Sequence, residues 1–375
     1  MSFDVSYETA IAAKQPMKQT VLWPRSKNAI ALFTAVSLVA CTSVPPLKHT
    51  AEQGNEDVQT AHASAPNRPA HAKPSPDLET VMNAAKKGEA KAQYQLGTIY
   101  AKGEEVAQSD AEALKWYTQA AQQGYAAAQY KLGVIYANGR GVAQSDDEAV
   151  KWYTKAAEQG NASAQNNLGV MYAGGYGVAQ NDAAAVQWYA KAANQGHAIG
   201  EHNLGFMYGT GSGVTQNDVE AVKWYNAAAA QGDATAQYNL GVMHEAGRGV
   251  AQSDVEAVKW YSLAAAQGKA EAQNNLGWMY SEGNGVAQSD AEAVKWFRAA
   301  AEQENAAAQN NLGWMYDQGH GVAQSDADAV KWYSLAAEQG KADAQNNLGW
   351  MYANGRGVTQ NYVAAVKWYG LAASQ

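Results

Sequence analysis

NASAQNNLGVMYAGG, residues 161–175, sets Ala164, Leu168, Met171 and Tyr172 three and four residues apart, the spacing of one apolar helix face. Just ahead of it, SDDEAVKWYTKAAEQG (residues 145–160) opens with Ser145 and Glu148, the S-x-x-E arrangement that caps a helix start. Ala149, Trp152, Tyr153 and Ala156 then mark a second apolar face, and Gly160 stops that helix. A Gly-x-Gly-Val-Ala-Gln loop joins the first kind of helix to the second. Gly169, beside Leu168, is costly inside a helix, so the expected reason for it is close approach of a neighbouring helix backbone.

Outward from this pair, the same unit recurs without insertion or deletion. Trp116, Trp152, Trp188, Trp224, Trp260, Trp296, Trp332 and Trp368 stand 36 residues apart, and Leu96, Leu132, Leu168, Leu204, Leu240, Leu276, Leu312 and Leu348 keep the same step. A strict period of that length is the mark of a solenoid, whose units bury their faces only against their neighbours. All 8 prolines lie at or before Pro76, so nothing interrupts helices beyond it. The reading is an all-α, α/α solenoid of eight 36-residue helix-loop-helix repeats over 89–375. DLETVMNAAKKG (77–88) aligns with a second helix but has Thr80 where Trp belongs, and is expected to be the N-terminal cap.

The motif A-x-A-Q-x-N-L-G-x-M-Y…G-x-G-V-x-Q…A-V-K-W-Y…A-A-x-Q-G resembles the Sel-1-like repeat (SLR), a relative of the tetratricopeptide repeat. That resemblance implies a right-handed superhelix with the first helix of each pair lining the concave side, and a role in binding other proteins. Some relatives staple each helix pair with a disulfide. This chain has 1 Cys, so packing of its Trp, Tyr, Leu and Ala positions must suffice.

Residues 1–40 read as a leader. Lys14, Lys18, Arg25 and Lys27 precede an apolar run from Ala29 to Ala40, too short to span a bilayer comfortably but suited to a signal peptide. Met17 offers a second start. Leu38-Val39-Ala40-Cys41 resembles the bacterial lipobox, which implies acylation of Cys41 and a membrane-held protein. Thr42 in place of Asp implies, by the same resemblance, delivery to the outer membrane, facing the periplasm. Residues 41–76, with six of the prolines and no apolar periodicity, read as a disordered tether.

A net charge of -8 offers no basic stripe, which argues against nucleic-acid binding. Ser109, Ser145, Ser253, Ser289 and Ser325 all sit at helix starts and read as caps rather than nucleophiles, and Glu112, Glu148, Glu220, Glu256 and Glu292 as first-turn carboxylates suited to the helix dipole. His197, His202 and His244 cluster loosely with Glu201, yet His197 and His202 are five apart and point to different helix faces, which argues against a metal site. The Gly-x-Gly-Val loops lack the lysine and preceding strand of a phosphate loop. No catalytic residue, metal or cofactor is assigned.

Function is then sought where the units differ. One residue before the repeated Leu stand Asn167, Asn203, Asn239, Asn275, Asn311 and Asn347; two after it, in the last three units, stand Trp278, Trp314 and Trp350. By likeness to tetratricopeptide arrays both columns face the groove, as candidate binding residues for an extended protein or peptide. The alternatives are that the Asn ladder bridges neighbouring helices and the Trp column is core. The functional expectation is a non-catalytic interaction scaffold of the cell envelope. Amides beside Trp faces equally suit sugar rings, so an envelope glycan-binding lipoprotein is the second reading and a lipoprotein hydrolase of β-lactamase type the third. The last helix, with Tyr362, Val366 and Leu371 and no polar cap, is expected to dock a partner or a second copy as a homodimer.

Overall fold

The computed structural model describes residues 75–375. The leader, Cys41 and most of the tether lie outside the described residues.

Ser75 accepts a hydrogen bond from the Leu78 N–H and so caps α1 (Pro76–Lys86), with Pro76 at the helix start where its missing N–H costs nothing. The cap helix therefore takes in the last proline of the expected tether. Eight first helices follow: α2 (Ala90–Lys102), α4 (Ala126–Asn138), α6 (Ala162–Gly174), α8 (Ala198–Thr210), α10 (Ala234–Ala246), α12 (Ala270–Glu282), α14 (Ala306–Gln318) and α16 (Ala342–Asn354). They alternate with eight second helices: α3 (Asp110–Gln122), α5 (Asp146–Glu158), α7 (Asp182–Ala193), α9 (Asp218–Ala230), α11 (Asp254–Ala266), α13 (Asp290–Ala301), α15 (Asp326–Glu338) and α17 (Tyr362–Ala373). Among the described residues there is no strand. Each helix packs on the one before and the one after, which is a solenoid.

The serine caps form as read: the Glu148 N–H donates to Ser145 Oγ at 3.3 Å, and Ser109, Ser253, Ser289 and Ser325 hold their helices in the same way. Each first helix ends on a glycine in the left-handed region, such as Gly175 at φ 69°, where a side chain would be strained.

The core runs unbroken through each unit and on into the next. In one representative cluster Ala149, Tyr153, Ala156 and Ala157 of α5 meet Ala164, Leu168 and Met171 of α6, and Trp188 of α7 packs back over them. Every second-helix Trp leans onto the preceding unit in this manner, as Trp260 does on the cluster of α9 and α10 and Trp368 on that of α15 and α16. Nearest-neighbour burial of this kind makes the units interdependent.

The repeated glycine next to Leu is explained by a ring, not chiefly by backbone. A Cβ on Gly169 would lie 2.6 Å from Tyr189 Cε1, and one on Gly241 2.5 Å from Tyr261 Cδ1. The second-helix aromatic is seated flat on the first helix where a side chain is missing. Backbone is a lesser neighbour, as at Gly205, where the Ala221 carbonyl would stand 3.2 Å away.

Candidate partner-binding face

Burial along the first helices falls into stripes. The third, fourth, seventh and eighth residues of each helix are buried in nearly every unit, while the second, sixth, ninth and thirteenth keep exposed area. Those four positions lie on one side of a helix. In α14 the open stripe is Ala307, Asn311, Trp314 and Gln318. The candidate Asn and Trp columns are thus the sixth and ninth positions, at the middle of the open stripe.

The Asn column bridges units. Asn203 Nδ2 donates to Asn166 Oδ1 at 2.9 Å, Asn311 to Asn274 at 3.0 Å and Asn347 to Asn310 at 3.1 Å. Asn275 accepts from Asn274 Nδ2 at 3.4 Å and reaches the Tyr261 hydroxyl. Asn167 is buried, accepts from Asn166 and reaches the hydroxyls of Tyr130 and Tyr153. Asn239 is half-buried. The ladder therefore holds adjacent first helices in register while leaving most of its members partly open.

The Trp column is half-buried. Trp278 packs against the cluster behind it and the cluster ahead, Trp314 does the same one unit on, and Trp350 rests on the cluster of α15 and α16. Loop residues lie on these indoles: the His320 ring stacks on Trp314 at 5.0 Å between centroids and 12° between planes, and the Arg356 guanidinium lies 5.2 Å from the Trp350 ring. The Trp314 and Trp350 rings are thereby fixed in orientation, which lowers the entropic cost of using them as anchors.

Sequence reasoning missed two polar devices. The first is a glutamine latch. Gln165, only 5% exposed, donates to the Ala157 carbonyl at 3.0 Å and accepts from Gln195 Nε2 at 2.6 Å. The same pair of bonds recurs at Gln93, Gln129, Gln237, Gln273, Gln309 and Gln345. It ties each first helix to the end of the second helix before it and to its own partner. The fourth unit alone has Glu201 there, accepting from Gln231 at 2.8 Å but with no amide to donate. Burial pushes the Glu201 carboxyl above the usual carboxylate range, against that hydrogen bond.

The second device is a clasp between units. Arg248 grips Asp218 of the preceding unit at 2.7 Å, Arg140 reaches Asp110 at 3.3 Å, and His320 approaches Asp290 at 3.1 Å. Arg356 pairs with Asp326 and, at 2.8 Å, with Asp317, whose side chain is 5% exposed. Burial raises the Asp317 carboxyl and Arg356 pulls it back down. Glu245, at the equivalent place two units earlier, accepts from the Tyr261 hydroxyl at 2.6 Å and is likewise raised by burial.

The histidines serve the scaffold. His197 Nδ1 accepts from the Gly200 N–H at 3.1 Å and so caps α8, while His202 lies 3.6 Å from Asp233, its ring held below its ordinary pKa by burial. His197 thus stands ahead of the helix and His202 within it. Among the described residues no group of three or more His, Cys, Asp or Glu is arranged to hold a metal. On α17, Val366 is 70% exposed where its counterparts Val222 and Val294 are 7% and 5%, and Tyr362, Val363 and Leu371 are exposed beside it.

The Sel1 repeat model matches residues 90–125, 126–161, 162–197, 198–233, 234–269, 270–305, 306–341 and 342–375. The chain belongs to the Sel1 repeat family. This Sel1 repeat array is similar, at 41% identity and a TM-score of 0.73, to a protective antigen present in uropathogenic Escherichia coli strains and displaying an SLR fold; the match covers 80% of this chain and 64% of that one. A Sel1 repeat protein from Oxalobacter formigenes matches at 35% identity and a TM-score of 0.60, over 80% of this chain and 87% of its own. No curated protein matches by sequence.

Proposed function

We propose that this Sel1 repeat solenoid is a non-catalytic scaffold that binds an extended protein segment along its first-helix face. One observation carries the reading. The ninth position of the first helix is Thr98, Val134, Val170, Phe206 and Val242 in the first five units and Trp278, Trp314 and Trp350 in the last three, with the same helix and the same buried Leu-Gly pair beside it. The scaffold does not require tryptophan there. Half-buried, pre-oriented indoles beside amides are what a binding hot spot uses. In this reading Asn167, Asn203, Asn239, Asn275, Asn311 and Asn347 supply hydrogen bonds from their unbridged atoms, and the anchors lie in the last three units.

Cys41, following a basic and then apolar leader, would hold the array by lipid at the bacterial envelope, with the outer membrane as the destination. Phase partitioning into detergent, lost on Cys41→Ser, tests the anchor separately from the groove.

For the groove, a photo-crosslinking residue at Gln318, exposed on the open stripe, is carried by cells expressing the full chain. The expected adduct is a single protein species that disappears when Trp278, Trp314 and Trp350 are replaced by Val. A glycan adduct instead would favour the sugar reading, and an adduct indifferent to the three substitutions would overturn the site.

A further inference from the structure

Glutamine holds the fourth position of every first helix but one, and its Nε2 donates to the carbonyl eight residues back, as Gln165 does to Ala157 at 3.0 Å. The exception is Glu201 in the fourth unit. Its Oε2 accepts from Gln231 Nε2 at 2.8 Å, the bond that Gln165 Oε1 takes from Gln195. Glutamate and glutamine share one skeleton, so Oε1 falls to the place that Nε2 takes elsewhere, toward the Ala193 carbonyl. Ionised, that oxygen only accepts and meets another acceptor; protonated, it is an O–H donor. The Ala193 carbonyl takes the Gly196 N–H at 2.9 Å, as Ala157 takes Gly160, and has a second lone pair for such a donor.

The clasp is missing at the same junction. Where Arg140, Arg248, His320 and Arg356 reach back to an aspartate of the unit before, the fourth unit has Ser212, which hydrogen-bonds Thr210 at 2.9 Å, so no basic side chain stands opposite Asp182. The joint is left with the Asn203 to Asn166 bridge and the apolar packing of Tyr189 and Leu204. We propose that the joint between the third and fourth units is a proton-operated latch: with Glu201 ionised the start of α8 is loose on the end of α7, and with Glu201 protonated its O–H donates to the Ala193 carbonyl and stiffens the joint. It divides the three units next to the N-terminal cap from the five that hold the tryptophan column.

The sign follows from the surroundings. Burial holds the Glu201 carboxyl above the usual carboxylate range, against the Gln231 hydrogen bond, so the latch is open at neutral pH and closes as pH falls through that raised range, with a proton taken from solvent. Other charges near it are already engaged. Lys191 of α7 lies 3.7 Å from the Trp188 ring centroid, Glu220 and Lys223 of α9 pair at 2.9 Å, Asp218 is held by Arg248, and α6 has no charged residue. The two histidines of the joint work in the opposite direction. His197, which caps α8, and His202, beside Asp233 with Lys269 near, are held below the ordinary histidine value by burial, so acid weakens the fold through them.

Hydrogen exchange of the purified full chain, corrected for the intrinsic pH dependence of exchange, tests the latch. His197→Asn with His202→Asn removes the opposing titration, using the residue that Asn161 and Asn274 supply at those places in other units. In that background the first turns of α8 should exchange about tenfold faster than those of α6 and α10 at about pH 7, and the gap should close at about pH 5. Glu201→Gln should close the gap at both values, and Glu201→Ala should leave it open at both. If the asparagine background does not fold, the difference between the parent chain and Glu201→Gln at each pH carries the same reading, because both keep the histidines. A gap of the same size at both pH values with Glu201 present, or a pH-dependent gap that survives Glu201→Gln, overturns the proposal.

Discussion

Adding one methyl group at Gly241, Gly349 or Gly370 should give three different outcomes, because the neighbour differs. At Gly241→Ala the new Cβ would sit 2.5 Å from Tyr261 Cδ1 and Cε1. That ring is fully buried, and its hydroxyl is held by Glu245 at 2.6 Å, so it cannot swing aside. Overpacking of a closed site costs about 1–3 kcal/mol. The helix gains up to about 1 kcal/mol from Ala over Gly. The net expectation is a loss of about 0.5–2 kcal/mol by those two terms. At Gly349→Ala the contact is 3.0 Å, to a Tyr369 ring that is only half-buried, and relief of a few tenths of an ångström suffices. There the two terms nearly cancel. At Gly370→Ala nothing lies within 4 Å and the helical gain stands alone, about 0.5–1 kcal/mol of stabilisation.

Guanidinium unfolding followed by tryptophan fluorescence orders the three variants. Hydrogen exchange of the affected helices should accompany it, since long arrays depart from two-state behaviour. Equal loss at Gly241 and Gly349, or no loss at Gly241, would refute the ring-seat account of the repeated glycine.

Glu201→Gln restores the missing latch, and its effect depends on pH. The folded carboxyl titrates above its unfolded value, so the burden it places on stability is absent at acidic pH and grows as pH rises from the ordinary carboxylate range through the raised one; the variant should raise the melting temperature at pH 7 and gain nothing in acid. Arg356→Ala strands the buried Asp317 carboxylate and should cost up to about 3 kcal/mol at neutral pH and less in acid, with Asp317→Ala in the same chain recovering most of it. Glu304 holds φ 63° where the other units place glycine, so Glu304→Gly should stabilise by up to about 1 kcal/mol in the same unfolding assay.

The periodic part of this molecule was open to reading because in a solenoid each burial decision is repeated. The 36-residue step of Trp and Leu, the Ser145 cap and the Gly160 stop gave the helices, their order and their ends. What the period does not contain is the register of contact across units. The clasp joins residues 30 apart, as Arg248 to Asp218, and the Asn bridge joins residues 37 apart, as Asn203 to Asn166. Neither number is 36, so a column-by-column reading aligns each residue with its equivalent rather than its partner. The glutamine latch was hidden for another reason. Glutamine reads as a surface residue, yet here a helix end leaves the Ala157 carbonyl needing a donor, and a buried amide with both functions satisfied is the solution.

The same distinction separates scaffold from function. Gln165, Gly169 and Leu168 each have a neighbour that dictates them, and a substitution at any of their columns disturbs packing or strands a polar group. The ninth position has no such dictation, since Thr, Val, Phe and Trp all occupy it beside the same buried Leu. Freedom of that kind is where a repeat protein can place a partner without altering its fold. Three tryptophans in succession, at positions where valine suffices, are a choice that packing alone does not account for.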